Sequence, residues 1–179
     1  MIYLVRHGEA AASWGQHPDP GLSVPGRQQA EDVADKLEAM GISRALTSPM
    51  ARCQETAEAF AAQSGLNLVI EPTVIEIPTP PGLSDRVTWL RKLMAGTWSE
   101  TPELVQNWHA ALLRTIHDLS DNTVVFTHFI AINAVVGALE NKPEVMVFRP
   151  NYCSVTALEK VKDGLRLVTR GESLETKVL

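Results

Sequence analysis

A chain of 179 residues, 45% apolar and 21% charged, is long enough for one domain to bury a full core and too apolar to be disordered. Its net charge of −5, with no run of Lys or Arg, excludes a nucleic-acid-binding stripe from the expected functions. Two cysteines, Cys53 and Cys153, match no metal spacing and make no disulfide framework, which suits a reducing compartment and leaves a single bridge open. The apolar opening Met1–Val5 is broken at once by Arg6 and His7. It is too short for a signal peptide or a membrane span, so a cytoplasmic location without membrane contact is expected.

In chain order, Ile2–Val5 reads as a short buried strand, followed by a polar loop from Arg6 to about Leu22. Ala30, Val33, Ala34 and Leu37 recur at helical spacing, with Ser23 and Pro25 as start signals and Gly41 as the stop. Arg44–Thr47 reads as a second strand. Ser48 and Pro49 then open a helix as N-cap and first residue, closed by Gly65. Asn67–Ile70 is a third strand. The stretch from Pro72 to Gly82 holds four of the eleven prolines and cannot be a regular helix.

Ser84 is expected to cap a short helix through Leu93. Thr101-Pro102-Glu103 starts a longer one, with Leu104, Trp108, Leu112, Ile116 and Leu119 on its inner face. Thr123–Phe126 is a run of β-formers, and an apolar helix follows from about Ala131 to Leu139. Two alternating strands, Val155–Val161 and Leu165–Thr169, close the chain around the hairpin signal Asp163-Gly164. Strands alternating with helices predict an α/β fold, a three-layer sandwich whose mostly parallel central sheet is flanked by helices, over one domain spanning residues 1–179.

Three polar clusters each fall just after a predicted strand: Arg6-His7-Gly8-Glu9, Ser48-Pro49-Met50-Ala51-Arg52 and Thr127-His128. Loops at the carboxyl ends of strands form the ligand crevice of an open α/β sheet. Two His and two Arg are therefore expected to meet there, though they lie far apart in sequence. Such a set suits a phosphoryl group. Arg offers a planar, permanently charged fork for phosphate oxygens. One imidazole can attack through one nitrogen while the other is held, and a second, protonated, can share the charge.

Arg6-His7-Gly8-Glu9 resembles the signature of the histidine phosphatases, the phosphoglycerate-mutase-like superfamily. Leu22-Ser23 with Gly26 and Gln29-Ala30, then Ser48-Pro49 with Arg52, Gln54, Thr56 and Ala57, resemble its following segments. Thr127-His128 resembles its second-histidine motif, and Asn151 with Ser154-Val155-Thr156 its approach to the last strands. Each motif alone is short; their shared order over residues 2 to 158 is specific. The resemblance implies that His7 is a nucleophile that becomes phosphohistidine, with Arg6, Arg52 and His128 as the phosphate clamp. It also implies Glu76 as proton donor, and Ser13 and Ser23 among the substrate-binding residues. Two departures bear on the substrate: Ser13 stands where the family often has Asn, and Glu76 is followed by Ile77-Pro78-Thr79-Pro80-Pro81 rather than the covering segment typical of mutases.

Plainer roles stand beside these. A loop glutamate is usually solvated, and Asp85 is the reserve acid, although it fits equally as a first-turn helix residue. Glu9 suits local orientation better than proton transfer. His17, His109 and His117 read as surface or helix-face residues. Trp98 and Trp108 read as core, and so does Trp89 unless it flanks the substrate opening. No metal site and no cofactor is expected, since the histidines lack ligand spacing and a carboxylate cluster. The expected activity is hydrolysis of phosphate monoesters, with a phosphorylated small molecule as partner and a phosphoprotein as a further option. A mutase, a protein-phosphohistidine phosphatase and a non-catalytic phosphate-binding module are the alternatives, and the oligomeric state is open.

Overall fold

The computed structural model describes residues 1–12 and 17–173. Five segments reach strand geometry where β-formers cluster: β1 (Ile2–Arg6), β2 (Arg44–Thr47), β3 (Leu68–Ile70), β4 (Thr123–Thr127) and β5 (Val155–Val161). A sixth, β6 (Gly164–Thr169), follows β5 as a hairpin whose turn residue Gly164 takes φ of +135°, open to glycine at little cost. The strands form one sheet in the order β3-β2-β4-β1-β5-β6. The four on the β3 side run parallel; β5 pairs antiparallel with β1 and with β6.

Helices α1 (Val24–Glu38) and α2 (Ala51–Ser64) cover one face of the sheet, and α3 (Arg86–Met94), α4 (Glu103–Asp118) and α5 (Phe129–Leu139) the other. Alternation along the strands feeds both cores. Ile2, Leu4 and Val125 point to the α3–α5 side, with Leu112, Ile116 and Ile132. Val5, Val124 and Phe126 point to the α1–α2 side, with Val33, Leu37 and Phe60. This is the expected three-layer sandwich.

The structure corrects several boundaries. α2 begins at Ala51, not Pro49, and its N-cap Met50 makes no side-chain bond. The Ser48 hydroxyl is instead committed to the Met50 N–H (3.3 Å) and to His128 Nε2 (2.8 Å). α3 is capped by Asp85, which accepts from the Thr88 N–H at 2.9 Å, rather than by Ser84. On α4 the inner face starts one residue later than expected. Val105 is buried while Leu104 is 44% exposed, and Trp108, Leu112, Ile116 and Leu119 are buried as expected. Cys53 and Cys153 are both free thiols. Among the described residues no helix is long and apolar enough to cross a membrane.

Candidate active site

Parallel neighbours end at the same edge, so the ends of β1, β2 and β4 deliver Arg6, Ser48 and Thr127 side by side. Backbone bonds carry the alignment one residue further: the His7 N–H donates to the Thr127 carbonyl and the Ser48 N–H to the Phe126 carbonyl, both at 3.0 Å. The glycine after His7 is a packing requirement. A Cβ on Gly8 would stand 2.6 Å from the Gly26 carbonyl oxygen, so only glycine lets this loop lie on the first turn of α1. The Gly8 N–H donates to the Thr56 hydroxyl (3.0 Å), which docks the loop on α2.

The two histidines and Arg52 form one buried cluster. Arg52 Nε donates to His7 Nε2 at 3.2 Å, and Arg52 Nη2 donates to His128 Nδ1 at 3.1 Å. Arginine can only donate, so both ring nitrogens carry lone pairs. The protons then sit on the opposite nitrogens, with His7 Nδ1 giving to the Gly8 carbonyl (2.7 Å) and His128 Nε2 to the Ser48 hydroxyl. The rings lie 5.3 Å apart in edge contact. Burial first, then Arg52, pushes His7 down to about 3, while burial, His7 and Arg52 push His128 well below the ordinary value. His128 is therefore neutral in this state, not protonated as expected. An incoming dianion would favour its charged form.

Arg6 donates through Nη1 to the Pro150 carbonyl at 2.9 Å and lies against the Tyr152 and Phe129 rings. Glu76 reaches the cluster by a different route. The Thr127 hydroxyl holds the Val74 carbonyl at 2.7 Å, which brings residues 72–82 onto the end of β4. The Glu76 carboxylate then accepts from the N–H groups of Ile77 (3.1 Å) and Ile130 (3.3 Å), supplying the cap that α5 lacks from its own N-cap residue, His128. Burial raises its pKa although the Ile77 N–H, Arg52 and Arg6 pull the other way, so the carboxyl holds a proton at higher pH than an ordinary glutamate.

Arg6, His7, Arg52 and Glu76 line one open cavity of about 1190 Å³. Arg86, held by the Thr79 hydroxyl at 2.6 Å, and Arg91 line it too, so four arginines face two carboxylates, Glu9 and Glu76. An acidic chain thus concentrates positive charge in one place. Such a pocket can bind an anion, present a lone pair on His7 Nε2 and supply a proton from Glu76.

Other expected residues have different outcomes. Ser13 lies outside the described residues. The Ser23 hydroxyl caps α1 through the Gly26 N–H and donates to Glu9 Oε1 (2.7 Å), a structural post that also gives Glu9 its orienting role. Asp85 is exposed and its pKa is lowered by the bonds to Thr88, which suits a cap and not an acid. Trp89 packs against the core. His109 is half-buried, stacked on Trp98 at 3.9 Å. Sequence reasoning missed Asp19, whose carboxylate accepts from the Ala51 N–H (2.9 Å) beside Arg52, as well as Arg86, Arg91 and Tyr152. No local pattern signals them, since residues five apart on a helix, as the two arginines are, do not share a face.

The chain belongs to the histidine phosphatase superfamily (branch 1), whose family model matches residues 2–173. Among curated relatives it is similar to a protein of Enterobacter sp. (strain 638) named "Probable phosphoglycerate mutase GpmB", 33% identical, with 89% of this chain and 84% of that one aligned. The protein of the same name from Cronobacter sakazakii is 27% identical with the same coverage. Among solved structures the fold matches the alpha-ribazole phosphatase of Shigella flexneri (TM-score 0.76, 19% identity, 96% of each chain). It also matches a phosphoserine phosphatase of Entamoeba histolytica crystallised with 3-phosphoglyceric acid (TM-score 0.73, 19% identity, 97% of each chain).

Proposed function

We propose that this protein is a phosphatase that hydrolyses small phosphate monoesters through a phosphohistidine on His7. The observation that carries the reading is the arrangement of His7: Nδ1 donates to the Gly8 carbonyl, and the lone pair on Nε2 accepts from Arg52 Nε, a donor that a bound phosphate would draw to itself. In the first step Nε2 forms a bond to phosphorus as the ester P–O bond breaks, and Glu76 gives its proton to the departing oxygen. In the second, water attacks phosphorus, Glu76 takes back a proton, and the N–P electron pair returns to His7. Arg6, Arg52 and a His128 that gains charge as the anion binds neutralise the transferring oxygens, the main demand of phosphoryl transfer.

Burial of His7 at the floor of the cavity favours a small ester over a phosphorylated protein side chain. Rapid quench during turnover, followed by mapping of acid-labile phosphate, tests the mechanism. Label on His7 is expected; label on serine or aspartate overturns it. A mutase is the second reading, favoured by the name that the curated relatives carry. Phosphate released to water, rather than moved to a second hydroxyl of a phosphorylated sugar acid, separates the two.

A further inference from the structure

The turn that joins Pro150 to β5 is strained and bolted to one residue of the site. Cys153 holds φ at +53°, a conformation that a residue with a Cβ keeps only where its surroundings over-determine it. Those surroundings are Arg6. The Cys153 N–H donates to the Arg6 carbonyl (3.0 Å), and the Arg6 N–H donates to the Ser154 carbonyl (3.3 Å). One position earlier, the Tyr152 N–H is held by Asn151 Oδ1 at 2.9 Å.

The result places the Tyr152 ring 4.0 Å from Arg6 Cζ and 6.1 Å from the His7 ring, on the cavity wall and outside both apolar cores. Arg6 needs such a neighbour. Its Nη1 bond to Pro150 fixes one point of the guanidinium, while its buried Nε has no partner among the described residues. Tyr152 supplies the second hold, through a side-chain hydrogen bond to the guanidinium and through its ring face. A ring stacked on the face fixes the plane.

We propose that Tyr152 is a positioning residue that acts through Arg6: its ring sets the plane of the guanidinium that grips the phosphoryl group. The inference rests on the reading of the cavity as a phosphate site. Tyr152→Ala should weaken binding of inorganic phosphate, read by calorimetry on the full chain without turnover, by about tenfold, the range of a desolvated cation–π contact. Tyr152→Phe should recover part of that loss, because the ring face stays on Arg6 while the hydroxyl's bond to it goes. In kinetics on an alkyl phosphate, KM should rise more than kcat falls, since the grip is made before and during transfer.

In an Arg6→Lys background, which keeps the charge and loses the planar fork, Tyr152→Ala should add less than about twofold. Tyr152→Leu serves as the volume-keeping replacement if the alanine variant melts early. Wild-type affinity in Tyr152→Ala, or a tenfold loss that persists in the lysine background, overturns the proposal. So does a phenylalanine variant as weak as the alanine one. Failure of the wild-type protein to bind phosphate overturns the phosphate reading itself, and is told apart because it shows before any substitution.

Discussion

The floor and the cover of the cavity are built by different means. The floor continues three adjacent strands: Arg6 and His7 line it, Ser48 and His128 lie fully buried beneath, and backbone bonds between neighbours fix Arg6, His7 and Ser48. The cover, residues 72–91, buries Val74, Ile77 and Leu90 in the core and is tied to the floor by two side chains, the Thr127 hydroxyl on Val74 and the Glu76 carboxylate on Ile130, with the Arg86–Thr79 bond internal to it. A ladder tolerates little displacement, so it suits groups that must meet within hydrogen-bond distance. Side-chain tethers can be re-placed by single substitutions, so the cover away from Glu76 is where the cavity wall can change while the floor stays as it is.

The comparison breaks first at the floor. His7→Ala should lower activity at least about 10⁴-fold while circular dichroism and melting stay near wild type, since the side chain contributes no core contact. A comparable loss of structure would mean that the floor is a stability element instead.

Glu76 belongs to the cover, and its substitution should be graded. Glu76→Gln should slow alkyl esters by about 10²–10⁴-fold and activated aryl esters much less, because a good leaving group needs no proton. Asp85→Asn should alter neither, as befits an exposed helix cap. Transfer of the leaving-group effect to Asp85 would move the acid to the other end of the cover.

Thr127→Val isolates the joint between floor and cover. It keeps the volume, removes the donor to the Val74 carbonyl, and should cost about 1–3 kcal/mol in urea unfolding. Activity on alkyl esters should fall with it as Glu76 loosens; stability loss with unchanged turnover would show that Glu76 is placed by other contacts.

A further expected effect is on pH. His7 is held at about 3 against an ordinary 6.5. Between those values the unfolded chain takes up a proton that the folded chain refuses, so this contribution is complete above about 6.5 and is lost as pH falls toward 3. Urea midpoints of His7→Gln from pH 7 to pH 4 should fall less steeply than those of wild type, though they still fall because His128 is also buried and neutral. Equal slopes would argue against a neutral His7.

The same division explains what could be read in the sequence. Arg6, His7, Arg52 and His128 follow β-forming runs, and a parallel α/β sheet sends such residues to a common edge, so their meeting was legible from period and order. Ser48 was misread because Ser-Pro is a strong cap signal locally, whereas its hydroxyl answers to His128, 80 residues away. Tyr152 was missed because nothing local reveals that antiparallel β5 lies against β1. Arg86 and Arg91 were missed because a proline-rich connection gives no period from which to infer where the next helix leans.

The distances along the chain between cavity partners bear on how the protein comes to be folded. Arg52 meets His7 across 45 positions and His128 across 76, and Arg6 meets Pro150 across 144. No fragment can assemble this set, and loop closure over such spans comes late and slowly. The assembled cavity, and with it phosphate binding, should thus return only with the final, whole-chain phase of refolding, after secondary structure has reappeared.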